Sequence, residues 1–73
     1  MDYIDRLTEL RNENDLKQSE LSDLLGVKQS AISKYENRRA QYTIDDLIKL
    51  CKFYGVSADY ILGLPKGLNY PER

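Results

Sequence analysis

Lys28, Lys34, Arg38 and Arg39 crowd residues 28–39 against one acid, Glu36, giving a local charge of +3 in a chain whose net charge is −1. The rest of the chain therefore carries −4. Among these cations stand Gln29, Ser30 and Ser33, side chains that both donate and accept hydrogen bonds. Cations interleaved with amides and hydroxyls suit contact with a polyanion and with polar edges, not bond making and breaking. Catalysis lacks its usual parts: there is no histidine, and no glycine-rich loop opens a helix to hold phosphate. The lone cysteine, Cys51, is flanked by Leu47, Ile48, Leu50 and Phe53, which points to buried packing. Asp45 and Asp46 are adjacent, so on a helix they fall on different faces and suit its positive end better than paired acid-base work. An enzyme is not expected, nor is a metal, a cofactor or a small-molecule ligand.

The elements that would present these residues can be read from spacing. From Gln18 to Asn37 the run QSELSDLLGVKQSAISKYEN has apolar Leu21, Leu25, Val27, Ile32 and Tyr35, a small Ser22, and Gly26 at the break. This is the pattern of two short helices joined by a tight turn, a unit that sets one helix in the major groove of DNA. Ser22 falls where the helices cross, and Gly26 can adopt the positive φ that ends the first helix abruptly. Leu21, Leu25, Ile32 and Tyr35 then face a shared core, leaving Gln29, Ser30, Ser33 and Lys34 pointing outward. Lys17 extends the basic patch if the helices cross this way.

Five helices and no strand are expected, an all-α five-helix bundle. The first runs from about Asp2 to Glu13 with Ile4, Leu7 and Leu10 inward, and Asn12, Asn14 and Asp15 break it. The second begins at Lys17 or Gln18 and ends at Leu25; the third spans about Gln29 to Glu36. Thr43 and Asp46 form a capping box with a shortened acid ahead of a fourth helix, Ile44 to Tyr54, whose Ile44, Leu47, Ile48 and Cys51 recur at helical spacing. Ser57 caps a fifth, Ala58 to Leu62, before Gly63 and Pro65. Residues 1–65 make one domain and 66–73 a tail.

A single domain of 73 residues buries only about 60% of its unfolded surface, so a partner subunit would help it. The apolar fraction of 41% and charged fraction of 32% are those of a soluble protein, and no apolar run nears the roughly 20 residues of a membrane span. The opening MDYIDRLTEL lacks the features of a signal peptide, so a cytoplasmic protein is expected. The pI near 5.3 argues against a nucleic-acid binder until the clustering of the cations is considered. Six tyrosines, Tyr3, Tyr35, Tyr42, Tyr54, Tyr60 and Tyr70, are too scattered to form a base-stacking platform.

From Leu7 to Leu62, the segments LTELR, LKQSELSDLLGVKQSAISKYEN and TIDDLIKLCKFYGVSADYIL together resemble the phage-repressor and Cro type of helix-turn-helix domain, also called XRE-like. The resemblance implies a compact five-helix fold and a transcriptional regulator that binds operator DNA as a dimer. It implies that Gln18 donates to a backbone phosphate and braces the next helix, and that Gln29 reads a base, since an amide can pair with adenine N6 and N7. Ser30, Ser33 and Lys34 match other groove-facing positions. Lys17, Lys28, Asn37, Arg38 and Arg39 fall where phosphates would be met.

Three positions depart from the family pattern. Ser22 replaces the usual alanine, and its hydroxyl can bond back to a carbonyl of its own helix. Arg38 replaces a glycine after Asn37, so Asn37 is expected to take the left-handed conformation instead. Tyr42 replaces a proline, an exposed aromatic that would serve phosphate contact, a dimer surface or packing. The expected function is sequence-specific binding of double-stranded DNA, as a repressor that blocks polymerase from an inverted-repeat operator. A homodimer joined through Tyr60, Ile61, Leu64 and Leu68 would do this. The rival reading is an antitoxin or adaptor that uses the same fold to contact protein.

Overall fold

Local hydrogen bonds set where each helix starts and stops. In the computed structural model, which describes residues 2–65, the chain forms α1 (Tyr3–Glu13), α2 (Gln18–Leu25), α3 (Gln29–Glu36), α4 (Ile44–Tyr54) and α5 (Ala58–Leu62). The expected tail, 66–73, lies outside the described residues. At the head of α1 the Asp2 carboxylate accepts the Asp5 N–H at 3.0 Å and the Asp5 carboxylate accepts the Asp2 N–H at 3.4 Å. Asp15, at φ +54, ends the turn that follows; an aspartate tolerates that conformation better than most residues. At α4 Thr43 Oγ1 accepts the Asp46 N–H at 3.0 Å while Asp46 Oδ2 accepts the Thr43 N–H at 3.1 Å, which gives the buried Asp46 side chain a hydrogen-bond partner. Ser57 Oγ caps α5 by accepting the Tyr60 N–H at 3.1 Å.

α2 packs most closely on α3; α1 touches α3 and α5, and α4 closes on α5. Between α2 and α3 the chain turns at Gly26, whose φ of +69 is left-handed, as the spacing requires. Ser22 is buried, and its hydroxyl donates to the Ser19 carbonyl at 2.7 Å. The core is built from Leu7 and Leu10 of α1, Leu21 and Leu25 of α2, Ile32 and Tyr35 of α3, Leu50 of α4 and Ile61 of α5. Ile32, Leu50 and Ile61 are fully enclosed, each contributing roughly 2 kcal/mol relative to an exposed side chain.

The inward face of α4 differs from expectation. Leu50 is 1% exposed, with Leu47, Cys51 and Tyr54 packed partly against the core, whereas Ile44 is 73% and Ile48 47% exposed. Both stripes are apolar at helical spacing, so the helix is rotated by how it meets α5, not by its own pattern. Cys51 is half-buried against the core. No helix among the described residues is long and apolar enough to cross a membrane.

Candidate nucleic-acid interface

α3 is held by its inward residues, Ile32 and Tyr35, and by a polar clamp at its C-terminal end. Arg11, from the last turn of α1, donates from Nε to Glu36 Oε2 at 2.6 Å and from Nη2 to Glu36 Oε1 at 2.9 Å. Its Nη1 donates to the Leu16 carbonyl at 2.9 Å, and Gln18 Nε2, at the start of α2, donates to Glu36 Oε1, also at 2.9 Å. The Glu36 carboxylate thus joins α1, α2 and α3, and Arg11 ties in the α1–α2 turn. Hydrogen bonding to Glu36 raises the Arg11 pKa above its ordinary value. Gln18 braces α3, and one of its two amide hydrogens has no partner among the described residues.

With Ile32 and Tyr35 inward, Gln29, Ser30 and Lys34 stand exposed on the opposite side of α3. Ser33 is half-buried at the edge of that face, where Asn37 Nδ2 donates to its carbonyl at 2.9 Å and lies 3.4 Å from its hydroxyl. Lys17 and Lys28 precede α2 and α3, and Arg39 follows α3; all three are exposed. Among the described residues none of the side chains of Lys17, Lys28, Lys34 and Arg39 takes part in an ion pair. The one acid of the stretch, Glu36, is matched by Arg11 instead, so it does not dilute this cationic surface.

The loop after α3 corrects three expectations. The left-handed residue is Arg38, at φ +61, while Asn37 has φ −93. Asn37 continues the helical hydrogen bonding, its N–H reaching the Ser33 carbonyl at 3.0 Å, which leaves the reversal to the next residue. Arg38 is also not free: its guanidinium pairs with Asp2 and Asp5 at the head of α1, at 3.1 and 2.8 Å. Tyr42, expected to be exposed, turns inward and lies against Tyr35 with ring centroids 4.5 Å apart. Its hydroxyl is buried with no partner among the described residues, and burial pushes its pKa well above 10.0. Of the three roles open to Tyr42, packing is the one it fills.

The expected partner surface also changes. Ile61 is 0% exposed and belongs to the core, whereas Tyr60 and Leu64 are exposed; Leu68 lies outside the described residues. The Arg11–Glu36–Gln18 clamp and the Arg38 pairing with Asp2 and Asp5 were not expected. Their only sequence signal is opposite charge, at separations of 25, 36 and 33 residues for Arg11–Glu36, Arg38–Asp2 and Arg38–Asp5.

Comparison with known proteins decides what this arrangement belongs to. Residues 7–61 match the helix-turn-helix family. The chain belongs to the XRE-type helix-turn-helix family. It is 37% identical over 62 residues to the HTH-type transcriptional regulator YobD of Bacillus subtilis, covering 85% of this chain and 55% of that protein. It is 34% identical over 67 residues to the HTH-type transcriptional regulator PuuR of Escherichia coli, covering 92% of this chain and 36% of that one. The helix-turn-helix chain described here thus spans between about a third and just over half the length of these relatives. Its fold matches the P22 c2 repressor, solved in complex with a synthetic operator, with a TM-score of 0.74 at 27% identity, covering 85% of this chain and 94% of that one. Its five helices are therefore those of a phage-repressor-type helix-turn-helix domain.

Proposed function

We propose that the protein binds double-stranded DNA sequence-specifically as a transcriptional regulator, with α3 in the major groove. One observation carries this reading: Gln29, Ser30 and Lys34 are exposed on one face of a clamped α3, with the exposed cations Lys17, Lys28 and Arg39, unpaired among the described residues, around it. Gln29 at the first turn has the reach and the amide to pair with adenine N6 and N7; Ser30 and Ser33 are permissive neighbours. Lys34 meets guanine or phosphate. Lys17, Lys28, Asn37 and Arg39, with the second amide hydrogen of Gln18, meet the backbone and fix the register. That the P22 c2 repressor, whose fold this chain matches, is solved in complex with a synthetic operator supports DNA as the partner. Selection of bound duplexes from a random library, then a shift assay on the best site, tests it; recovery of no enriched sequence would refute sequence-specific binding.

Regulation is proposed to be repression by a homodimer that covers an inverted repeat and excludes polymerase. A homodimer is supported by the exposed Ile44, Ile48, Tyr60, Leu62 and Leu64. Ile44 and Leu62 also line, with Tyr3, Leu7, Tyr42, Thr43 and Leu47, an apolar groove of about 170 Å³. A two-fold axis beside α5 would set two α3 helices about 34 Å apart, one turn of DNA. Footprinting and a binding isotherm on a palindromic site check this: protection of one half-site, with one protein per DNA and no cooperativity, would sink the dimer.

A further inference from the structure

We propose that Asp2 and Asp5 sharpen the discrimination between DNA sequences by holding the Arg38 guanidinium against the head of α1, away from passing phosphates. The inference rests on the DNA-binding reading above. Arg38 Nη2 alone makes three contacts, to Asp2 Oδ1 and Oδ2 at 3.1 and 3.2 Å and to Asp5 Oδ1 at 2.8 Å. The arginine lies between Asn37 and Arg39 in the loop that leaves α3, and its backbone is fixed at φ +61 with its N–H on the Tyr35 carbonyl at 3.2 Å. Its side chain is therefore delivered toward α1 by the turn itself.

Two carboxylates around one guanidinium give that corner a charge of −1 where the sequence alone puts a cation. A backbone phosphate arriving there must displace the carboxylates or face their charge. Arg38 and Asp2 line an open polar groove with Tyr3, Ile4, Ala40 and Gln41, so an anion can reach the pair and compete for it. Exposed ion pairs are weak, which makes the hold reversible. The Asp2 pKa lies below its ordinary value, chiefly because the Asp5 backbone N–H bonds to it, with Arg38 adding to the effect, so the hold is in force at neutral pH.

Binding to arbitrary sequence is almost wholly phosphate contact, whereas a cognate site adds base contacts from α3. Withdrawing one cation thus weakens arbitrary binding most in proportion. A phosphate kept in register by Gln29 and Lys34 competes for Arg38 far better than a passing one.

The test compares the parent, Asp2→Asn/Asp5→Asn, Arg38→Gln and the triple variant on a labelled duplex of arbitrary sequence across a salt series, read by fluorescence anisotropy. Asparagine keeps an acceptor oxygen at each position and caps a helix as well as aspartate. The acid-neutralised variant should bind roughly threefold to tenfold tighter, with a salt slope steeper by about one. That gain should vanish when Arg38 is Gln. A gain of the same size without Arg38 would mean that the acids act only as general negative charge, and no gain at all would equally overturn the proposal. A parent that binds no duplex at low salt would overturn the DNA-binding reading and this inference together. Should the double variant melt below the assay temperature, Asp5→Asn alone, which leaves the Asp2 cap, carries the same comparison.

Discussion

Arg11 and Glu36 meet in a two-point pairing, Nε to Oε2 at 2.6 Å and Nη2 to Oε1 at 2.9 Å, with side chains only 14% and 8% exposed. A planar guanidinium facing a carboxylate this way fixes angle as well as distance, so α3 cannot roll against α1 without losing both bonds. The pairing orients the exposed face of α3 from behind.

Glu36→Gln or Arg11→Met should each cost about 2–4 kcal/mol, because the remaining partner is left charged in a mostly enclosed site. Urea unfolding of both singles and the double variant would measure it. The double variant should be more stable than the sum of the singles predicts, and additive losses would mean that the two residues do not stabilise each other.

Ser22→Leu should destabilise by about 1–3 kcal/mol and blunt the cooperativity of the melt, since Ser22 is buried and, at the expected crossing of α2 and α3, a larger side chain would overpack the core. A thermal melt that overlays the parent would contradict the crossing.

Burial raises the pKa of both Tyr42 and Tyr54 above the ordinary 10.0. A group whose folded pKa is raised contributes stability that is present below its unfolded pKa and lost as pH climbs past it. The urea midpoint should therefore hold up to about pH 10 and fall beyond it. Tyr42→Phe should lessen the fall. It should cost little at neutral pH, since it removes a buried hydroxyl with no partner among the described residues. A midpoint unchanged through strongly alkaline pH would refute this.

Gln29→Ala should lose about 1–3 kcal/mol on the selected site and relax preference at one adenine per half-site. Arg39→Ala should instead weaken all sequences alike and flatten the salt slope by about one unit. Competition shift assays on cognate and singly substituted duplexes separate the two. Equal loss of specificity in both variants would refute the division into reader and phosphate contact.

Helix limits were legible in the chain because their causes are local. Thr43 with Asp46 and Ser57 with Tyr60 close over three residues, and Gly26 turns the chain on its own φ. The spacing of Leu21, Leu25, Ile32 and Tyr35 likewise fixed which sides of α2 and α3 face inward, and so which residues α3 exposes. α4 shows where this reading stops. Ile44, Leu47, Ile48 and Cys51 make as good a stripe as Leu47, Leu50, Cys51 and Tyr54, and only contact with the other helices chooses between them. For the same reason Tyr42 and Ile61 could not be assigned to surface or core in advance.

The sequence by itself therefore determined the five helices, their caps, the two-helix unit and the residues on its outer face, all through interactions spanning a few positions. Tertiary structure alone decided the charges. It spent Glu36 on Arg11, 25 residues away, and Arg38 on Asp2, 36 residues away. A charge has no periodicity to announce its partner; the approach of α1 to α3 brings these groups within hydrogen-bonding distance, and that approach is set by packing of apolar residues elsewhere in the core.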